Sequence, residues 1–384
     1  MEMVVRAQVA NELIPTDGES LQHALHSLAG VDELRAKLAG QDAWLVGGAV
    51  RDLLLGGTRA DLDVVVEGDA AEVAALMGAQ PKAHERFGTA SVDVGGIRVD
   101  VAAARKEAYA QPGALPDVEP ASLAEDLERR DFTVNAMALA LEGETELIDP
   151  HGGRADLEAG LLRVLHPRSF EDDPTRALRA ARYGARLGLE LEPETAGLLR
   201  DTDLYTVSAD RVDAELGRLL AEERAPEALE LLAGWGLAGI DDGAPDRVRA
   251  ARLRLGEPEW AELAGDAEAL AEAARPGDCT RRAVATLTQK APGRPSEGMD
   301  LVAGFRPVEL LMARIAGAEW LDEWAKGWRK VALDIDGADL MEAGVAQGPA
   351  VGRGLDAALK ARLDGETSTR DEELRVALAA AAAT

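Results

Sequence analysis

The sequence predicts an α+β fold, a small mixed sheet with helices, followed by an all-α C-terminal half. Short apolar runs alternate with turns between residues 41 and 150, a pattern typical of strands separated by turns and short helices. From Leu157 onward, Leu and Ala recur at three- and four-residue spacing, which indicates amphipathic helices. Hydrophobic residues make up 47% of the 384 residues and aromatic residues only 3%, so we expect cores of Leu, Val and Ala.

The elements follow in order along the chain. The strand candidates are Trp44–Val46, Asp63–Val66, Ser91–Val94, Ile97–Val101 and Leu139–Ile148. The helices predicted between them are Asp69–Met77 and Leu123–Met137. Later helices are predicted at Pro174–Leu187, Pro193–Leu199, Ala209–Ala221 and Ala225–Gly234. The chain therefore divides into four predicted regions: an N-terminal helical segment (1–40), a mixed α/β unit (41–155), a helical unit (156–240) and a helical body and tail (241–384).

The charge of the whole chain and the charge of one segment point in opposite directions. A formal net charge of −28 should repel nucleic acid, because phosphate binding usually draws on clustered Lys and Arg. Between residues 163 and 186, however, the arginines Arg163, Arg168, Arg176, Arg179, Arg182 and Arg186 outnumber the acids Glu171, Asp172 and Asp173. This segment is either a locally positive binding surface or a solvated helix face.

Several classes of protein are disfavoured by what the sequence lacks. Cys279 is the one cysteine, which excludes an intrachain disulfide and a zinc finger. The five histidines form no His-Asp pair of the kind that holds a metal, which argues against an appended HD phosphohydrolase domain. The N-terminus has no signal-peptide pattern, and no apolar stretch approaches the ~20 residues that cross a bilayer. We therefore predict a cytoplasmic protein.

Two aspartates one residue apart, Asp61 and Asp63, lead into the apolar run Val64–Val66. Alternate residues of a strand face the same side, so both carboxylates can point into one site. Asp100 lies on the next strand candidate and can come alongside them as a third carboxylate. Carboxylate oxygens suit Mg²⁺, which also keeps room for water and substrate phosphates. The alternatives are a polar turn entering a buried strand at the pair, and a strand-end aspartate at Asp100.

The turn Gly47-Gly48 precedes Arg51 by a few residues. Glycines let the backbone approach a triphosphate, and a guanidinium can bind phosphate through two hydrogen bonds. A glycine pair by itself indicates only a turn.

Helix ends offer a structural alternative for two further acids. Asp131 lies near a predicted helix N-terminus, and Asp173 precedes Pro174, so each can serve as a helix N-cap. Arg176, Arg179 and Arg182 recur every three residues and therefore share one broad face of the helix that follows.

Four blocks in order carry a resemblance to a known family. They are Gly47–Asp52 with Asp61–Asp63, Arg105–Tyr109 leading to Leu115 and Pro116, Arg129–Ala138, and Asp172–Tyr183. Together they resemble the class II tRNA nucleotidyltransferases, that is, the CCA-adding enzymes and their bacterial poly(A) polymerase relatives. The resemblance thins through Arg211–Leu237 and continues in the tail from Ile335 to Gly354.

The resemblance implies a DNA polymerase β-like nucleotidyltransferase head in region 41–155, a base-selecting and RNA-binding neck in 156–240, and a tRNA-binding body and tail in 241–384. The implied reaction is template-independent addition of C, C and A, or part of that sequence, to tRNA 3′ ends. The RNA hydroxyl attacks the α-phosphate of CTP or ATP and pyrophosphate leaves. The implied cofactor is Mg²⁺, and the implied partners are the tRNA 3′ end, CTP and ATP, with no membrane and no obligatory protein partner.

The resemblance also assigns roles to individual residues. Asp61 and Asp63 are metal ligands, and Asp100 joins them as a catalytic candidate on its place in the strands. Gly48 and Arg51 belong to the nucleotide site, and Arg130, Asp131 and Asn135 meet the sugar and phosphates. Asp173 and Arg176 read the base, while Arg179 and Arg182 hold the arrangement or meet phosphate. One departure is Asp172, where the family commonly has Glu, so the shorter acid is expected to orient Arg176 less firmly.

Two other functions remain as alternatives. A poly(A) polymerase is disfavoured because Phe87–Val92 lacks the basic stretch that those relatives would lead us to expect nearby, and the C-terminal tail is not basic. A catalytically silent RNA-binding relative is disfavoured by the intact Asp61, Asp63, Arg130 and Arg176. Enzymes that add CC, A or CCA share the four blocks and differ in a flexible loop, which we place around Ala108–Pro120. The sequence indicates neither the choice among these three nor the oligomeric state.

Overall fold

A computed structural model describes residues 13–57, 62–78, 89–289 and 291–383 of the chain. The described residues form two compact units, which part between Ala238 and Gly239. No helix in these ranges is long and apolar enough to span a membrane.

The first unit begins with two helices and a sheet. In chain order its elements up to Ile148 are α1 (Gly18–Ser27), α2 (Val31–Lys37), β1 (Ala43–Val46), α3 (Gly48–Leu54), β2 (Leu62–Val66), α4 (Ala70–Leu76), β3 (Thr89–Val94), β4 (Ile97–Ala103), β5 (Arg105–Ala108), β6 (Asp117–Pro120), α5 (Leu123–Glu128), a 3-10 turn (Thr133–Asn135), β7 (Ala138–Ala140) and β8 (Leu147–Ile148). Six of the strands form one sheet in the order β3-β4-β2-β1-β7-β8. Within it β2 and β4 are parallel, and the other neighbours are antiparallel.

The remainder of the first unit is mainly helical. Its elements are α6 (Gly153–Ala159), β9 (Leu161–Leu162), α7 (Ser169–Asp172), α8 (Arg176–Leu187), β10 (Glu190–Leu191), α9 (Pro193–Leu199), a 3-10 turn (Leu204–Thr206), α10 (Ala209–Ala221) and α11 (Ala225–Trp235). One apolar core joins the sheet to α8: Leu45, Val64 and Val101 from the strands belong to the same buried cluster as Ala177 and Ala180. This shared core holds α8 against the head, so its polar residues can meet the sheet edge.

The second unit contains only helices among its described residues. They are α12 (Ala244–Leu255), α13 (Pro258–Ala261), α14 (Asp266–Ala274), α15 (Asp278–Leu287), α16 (Pro295–Val302), α17 (Pro307–Ile315), α18 (Leu321–Lys326), a 3-10 turn (Trp328–Lys330), α19 (Gly337–Glu342), α20 (Pro349–Leu363) and α21 (Arg370–Ala382). The predicted fold, an α+β head followed by a helical C-terminal half, is confirmed.

Two sequence-based elements were wrong, and a third element was missed. The helix predicted over Leu123–Met137 ends at Glu128, since the next residues turn away to pair with another segment: the N–H of Thr133 donates to the carbonyl of Arg163 at 2.9 Å. The strand predicted over Leu139–Ile148 is two short strands, β7 and β8, with a turn between them. The third is the hairpin β5–β6, which the apolar pattern did not indicate because its residues are charged and half-exposed.

Candidate active site

A cavity of about 900 Å³ lies in the first unit. Eight arginines line it: Arg51, Arg105, Arg129, Arg130, Arg176, Arg179, Arg182 and Arg186. Five carboxylates line it as well: Asp52, Asp63, Glu107, Asp131 and Asp173. The cavity is therefore positive within a chain whose net charge is −28. Arg176 is only 5% exposed, so the face of α8 that carries these arginines is a cavity wall rather than a solvated face.

The glycine turn brings backbone close to Arg130. Gly47 has φ +68 and ψ −131, a conformation that only glycine adopts readily. A Cβ at this position would lie 2.8 Å from Nη1 of Arg130. Gly48 then begins α3, so the turn, the first turn of α3 and the Arg130 guanidinium face the same cavity.

Arg51 is a buried arginine at the centre of a network of side chains. It is 2% exposed, and its Nη1 donates to Oδ1 of Asn135 at 2.5 Å while its Nε donates to Oδ1 of Asp52 at 2.8 Å. Asn135 in turn donates from Nδ2 to Oδ1 of Asp131 at 2.9 Å. Residues 84 positions apart in the chain are thus joined in one hydrogen-bonded chain.

Asp131 anchors Arg179 rather than capping a helix. Nε and Nη2 of Arg179 approach Oδ2 of Asp131 at 2.8 and 2.6 Å. Burial by itself would raise the pKa of Asp131, but the charge of Arg179 and the hydrogen bonds from Asn135 and Arg179 outweigh it, so the pKa lies well below its usual value. The same pair raises the pKa of Arg179, so both groups are charged. The structure gives no support to the N-cap interpretation, because the 3-10 turn that follows Asp131 has Phe132 at its N-cap position and no side-chain cap.

Tyr183 gathers three of the arginines around one aromatic ring. The guanidinium carbons of Arg51, Arg179 and Arg182 lie 5.2, 5.8 and 4.6 Å from its centroid. Its hydroxyl oxygen accepts from Nη2 of Arg179 and of Arg182, each at 3.3 Å. We did not predict a role for Tyr183. Its place in the Asp172–Tyr183 block, one position after the last regularly spaced arginine, was the available signal.

Asp126, which the sequence did not single out, holds two of the cavity arginines. It is fully buried, and it accepts from Nη2 of Arg129 at 2.6 Å and from Nη2 of Arg130 at 2.9 Å. Burial would raise its pKa, but the charges of Arg130 and Arg129 lower it. The signal was present in the chain, because Asp126 precedes these arginines by three and four residues, the spacing of neighbours on a helix.

Asp63 and Asp100 are register partners on the parallel strands β2 and β4, so their side chains leave the sheet on the same face. Asp63 lines the cavity. Asp100 accepts from Oγ of Ser91 and from Nε of Arg98, the latter at 3.0 Å, and does not line it. Asp61 lies outside the described residues. In the described part of the chain no group of three or more His, Cys, Asp or Glu side chains is arranged to hold a metal ion.

The donor set next to the arginines nevertheless suits a hard divalent cation. Asp63 in the cavity, with Asp100 on the same face of the adjacent strand, would supply oxygen ligands, and the eight arginines of the cavity would attract the phosphates that complete the coordination. The predicted third acid, Asp61, is two residues from Asp63 in the chain.

The two residues predicted to read a base both line the cavity and are held by different partners. Arg176 donates from Nη1 to Oγ of Ser169 at 2.6 Å and from Nη2 to the carbonyl of Arg129 at 2.8 Å. Oδ1 of Asp173 accepts from the N–H and the hydroxyl of Thr175, at 3.1 and 2.7 Å. The bond to the Thr175 N–H is cap-like, as expected for an acid before Pro174, although α8 itself begins at Arg176.

Asp172 does not contact the Arg176 side chain. It pairs with Nη2 of Arg168 at 3.1 Å. That the shorter Asp172 orients Arg176 less firmly than Glu stays a prediction; in this structure Ser169 and the Arg129 carbonyl hold that guanidinium.

Known proteins are similar to this chain in sequence and in fold. Residues 43–163 match the model of the poly(A) polymerase head domain. An A-adding tRNA nucleotidyltransferase of Geobacter sulfurreducens is 35% identical over an alignment of 394 positions, gaps included. This alignment covers 87% of this chain and 44% of that protein. A CC-adding tRNA nucleotidyltransferase of Deinococcus radiodurans is 37% identical over 359 residues, 88% of each chain. A solved structure of the Thermotoga maritima CCA-adding enzyme complexed with tRNA-CCA is 27% identical, with a TM-score of 0.68, and the match covers 94% of this chain and 96% of that one.

The chain spans less than half of the Geobacter relative but most of the Deinococcus relative. The Thermotoga match extends over both the mixed-sheet head and the helices that follow it.

Proposed function

The chain belongs to the family of tRNA nucleotidyltransferases and their poly(A) polymerase relatives, and on this premise we propose that it adds C, C and A, or part of that sequence, to tRNA 3′ ends. It takes the nucleotides from CTP and ATP and releases pyrophosphate. The supporting observation is that one cavity is lined by Asp63, by the Gly47-Gly48 turn with its arginines, and by Asp173 and Arg176. The residues we assign to metal binding, to the phosphates and to the edge of the base therefore all border one cavity, where a single nucleotide can contact them together.

We assign the triphosphate to the arginine-rich part of the cavity. Arg130 and the Gly47-Gly48 backbone lie together there, and Arg51, Arg179 and Arg182 surround Tyr183. Guanidinium groups bind phosphate oxygens in pairs, and groups already fixed by Asp126, Asp131 and Asn135 lose little entropy when they do so. Asp131 and Asn135 therefore act in nucleotide binding by holding arginines as well as by meeting the sugar.

We assign base choice to Asp173 and Arg176. Within the described residues Asp173 accepts from Arg211 and Thr175 through Oδ1 alone, which leaves Oδ2 to accept from a base, and Arg176 is held by Ser169 and the Arg129 carbonyl at the wall of the same cavity. Cytosine and adenine both present an exocyclic amino group, which a carboxylate accepts, beside a ring nitrogen, which a guanidinium can donate to. Guanine and uracil present a carbonyl where C and A have the amino group, so the same pair disfavours them.

Asp61, Asp63 and Asp100 are the carboxylates we assign to metal binding and catalysis. Nucleotidyltransferases of this family use a divalent metal, and we propose Mg²⁺ because the ligands are oxygens and the substrate carries phosphates. The bound ion supplies charge neutralisation and activation of the attacking oxygen. The residues of the chain orient the α-phosphate for in-line attack by the RNA hydroxyl.

The four predicted regions, 1–40, 41–155, 156–240 and 241–384, carry over into this proposal as a helical segment, catalytic head, base-selecting neck and tRNA-binding body and tail. A cytoplasmic location stays a prediction.

A nucleotide incorporation assay tests the proposed function. Purified protein is incubated with tRNA that lacks its 3′ CCA, or that ends in CC, together with CTP alone, ATP alone or both. We expect incorporation of labelled C, A or CCA at the 3′ end, and the three nucleotide conditions distinguish CC-adding, A-adding and CCA-adding activity. Long A tracts on an unrelated RNA with ATP would instead indicate a poly(A) polymerase, and RNA binding without incorporation of any nucleotide would indicate a silent relative.

Gly47→Ala is expected to raise the KM for CTP or ATP by about 10- to 100-fold. The added methyl group should displace the Arg130 guanidinium, and a displacement of about 1 Å of a group that positions the substrate can lower activity by a factor of that order. The new Cβ would collide with Nη1 of Arg130 at 2.8 Å. Gly56→Ala is the matched control, since Gly56 also has a positive φ, +78, and no atom of the described residues lies within 4 Å of the added Cβ. Equal KM values for the two variants would show that backbone strain, and not the position of Arg130, matters.

A further inference from the structure

Arg211 connects two walls of the cavity without lining it. It belongs to α10, and its Nη1 donates to the carbonyl of Gly113 at 2.8 Å while its Nη2 donates to Oδ1 of Asp173 at 2.9 Å. These partners are 98 and 38 positions away in the chain. One guanidinium therefore fixes a loop and a carboxylate relative to each other.

The loop belongs to the hairpin β5–β6, which is one wall of the cavity. Glu107 and Tyr109 line the cavity from this hairpin, and the Tyr109 hydroxyl donates to Oε2 of Glu107 at 2.8 Å. Burial raises the pKa of Tyr109, so the hydroxyl remains protonated and keeps donating. Glu107 is also bonded through Oε1 to Nη1 of Arg129 at 3.0 Å. Movement of the hairpin would thus move residues that face the substrate.

Gly113, in the loop between β5 and β6, packs closely against two other segments of the first unit. Its N–H donates to the carbonyl of Glu171 at 3.2 Å, and its carbonyl accepts from Arg211. Gly113 has φ +69, and a Cβ there would lie 2.6 Å from the carbonyl oxygen of Thr206. This loop therefore contacts both the segment before α8, at Glu171, and the segment before α10, at Thr206. Position 113 has no space for a side chain larger than that of glycine.

Among the described residues, Arg211 is the one charged donor to Asp173. The other two donors to Asp173 are the N–H and the hydroxyl of Thr175, and both also bond Oδ1. These bonds fix the orientation of the carboxylate. They leave its second oxygen, Oδ2, to accept from a ligand in the cavity that Asp173 lines. A charge-assisted bond is roughly twice as strong as a neutral one. Loss of the Arg211 bond should therefore loosen the carboxylate more than loss of either bond from Thr175.

We propose that Arg211 is a positioning residue for nucleotide choice: it ties the hairpin β5–β6 to Asp173, so that hairpin and base-reading carboxylate keep one arrangement around the incoming base. The role rests on the proposed function in so far as Asp173 reads the base. It predicts that selectivity among nucleotides depends on a residue that touches no substrate.

Equilibrium binding of CTP, ATP, GTP and UTP to the full chain tests the role without requiring turnover, and KM and kcat are measured alongside. In Arg211→Gln we expect binding of the preferred nucleotide to weaken by about tenfold, the effect of one lost charge-assisted bond, and its preference over GTP and UTP to fall by a similar factor. The kcat at saturating nucleotide should change less than threefold. Arg211→Lys should be intermediate, because a single ammonium cannot reproduce the two arms of the guanidinium.

Two further variants separate positioning from general damage. Gly113→Ala displaces the hairpin tip but leaves Arg211 and Asp173 in place, and it should lower selectivity in the same direction, whereas Gly56→Ala should not. Arg200→Gln, at an exposed arginine of the same unit, should match wild type. Thermal melting of each variant shows whether it is folded.

Selectivity of Arg211→Gln equal to that of Arg200→Gln would overturn the role of Arg211, and so would a wild-type protein that binds the four nucleotides equally. A wild-type protein that adds no nucleotide, yet prefers CTP or ATP in binding and loses this preference in Arg211→Gln, would refute the proposed function and keep the role of Arg211.

Discussion

Replacing Asp63 with asparagine is expected to lower the rate of nucleotide addition by about 10³-fold or more. A divalent cation contributes several kcal/mol of transition-state stabilisation, and ~4 kcal/mol corresponds to this factor. Asparagine keeps the size and one oxygen of the side chain but removes the negative charge that holds the cation. Single-turnover rates at saturating CTP or ATP and Mg²⁺ measure the effect on chemistry separately from binding.

Asp93→Asn is the matched control for this substitution. Asp93 is an exposed aspartate of β3, in the same sheet, and its Oδ1 accepts from the N–H of Gly96, a bond that asparagine can keep. Its rate should equal that of wild type. If Asp63→Asn retained more than about a tenth of the wild-type rate, Asp63 would not be a metal ligand. Asp100→Asn extends the comparison, because Asp100 is the register partner of Asp63 and already accepts from Arg98 and Ser91.

Asp131→Ala is expected to lower the free energy of unfolding by about 3–5 kcal/mol, the usual cost of removing one partner of a buried ion pair. Asp131 is 6% exposed and is held by both Arg179 and Asn135, so its loss leaves the partly buried Arg179 guanidinium with only one carboxylate contact among the described residues, the longer one to Glu215 at 3.6 Å. Chemical denaturation of the first unit, followed by circular dichroism, measures the change.

Glu119→Ala provides the contrasting case. Glu119 pairs with Lys106 at 3.1 Å but is 71% exposed, so its loss should change stability by no more than about 1 kcal/mol. The double variant of Asp131→Ala with Arg179→Leu should lose less stability than the sum of the two single variants, since no unpaired charge remains. Additive losses would show that the pair does not act as a unit.

The pH dependence of stability follows from the same pair. The folded-state pKa of Asp131 lies below its ordinary value of 3.8. Its contribution is therefore complete at pH values above the unfolded-state pKa and is lost as the pH falls from about 4 toward the folded-state pKa. The difference in melting temperature between wild type and Asp131→Asn should shrink over this range. A difference that stays constant to low pH would contradict the charged pair.

The sequence patterns predicted the head, the helical half and most of the cavity. Apolar runs located β1, β2 and β4 to within a few residues, since strands with a buried face leave a local signature. The three-residue spacing of Arg176, Arg179 and Arg182 placed them on one face, and all three line the cavity. The roles of these residues stay proposals, because their positions say which groups meet and not what they bind.

Neither the hairpin β5–β6 nor the residue at which α5 ends could be predicted from local sequence patterns. The hairpin residues have no apolar alternation, and their order comes from contacts of Glu107 and Gly113 with distant arginines. The chain after Glu128 has apolar residues at helical spacing, yet it is extended at Phe132, which pairs with Val164. Such contacts join segments far apart in sequence and override helix propensity.

Which acid holds which arginine is decided by the tertiary structure. Local sequence was sufficient for the glycine turn and for Asp63, which both line the cavity, because each depends on neighbours within a few residues; the spacing of Asp126 before Arg129 and Arg130 was equally local but was not used. It could not show that Asp131 binds Arg179, that Arg51 binds Asn135, or that Arg211 reaches Asp173, because these partners lie 48, 84 and 38 positions apart. A charged side chain has many possible partners in an unfolded chain, and only the packed sheet and helices bring one of them within hydrogen-bonding distance.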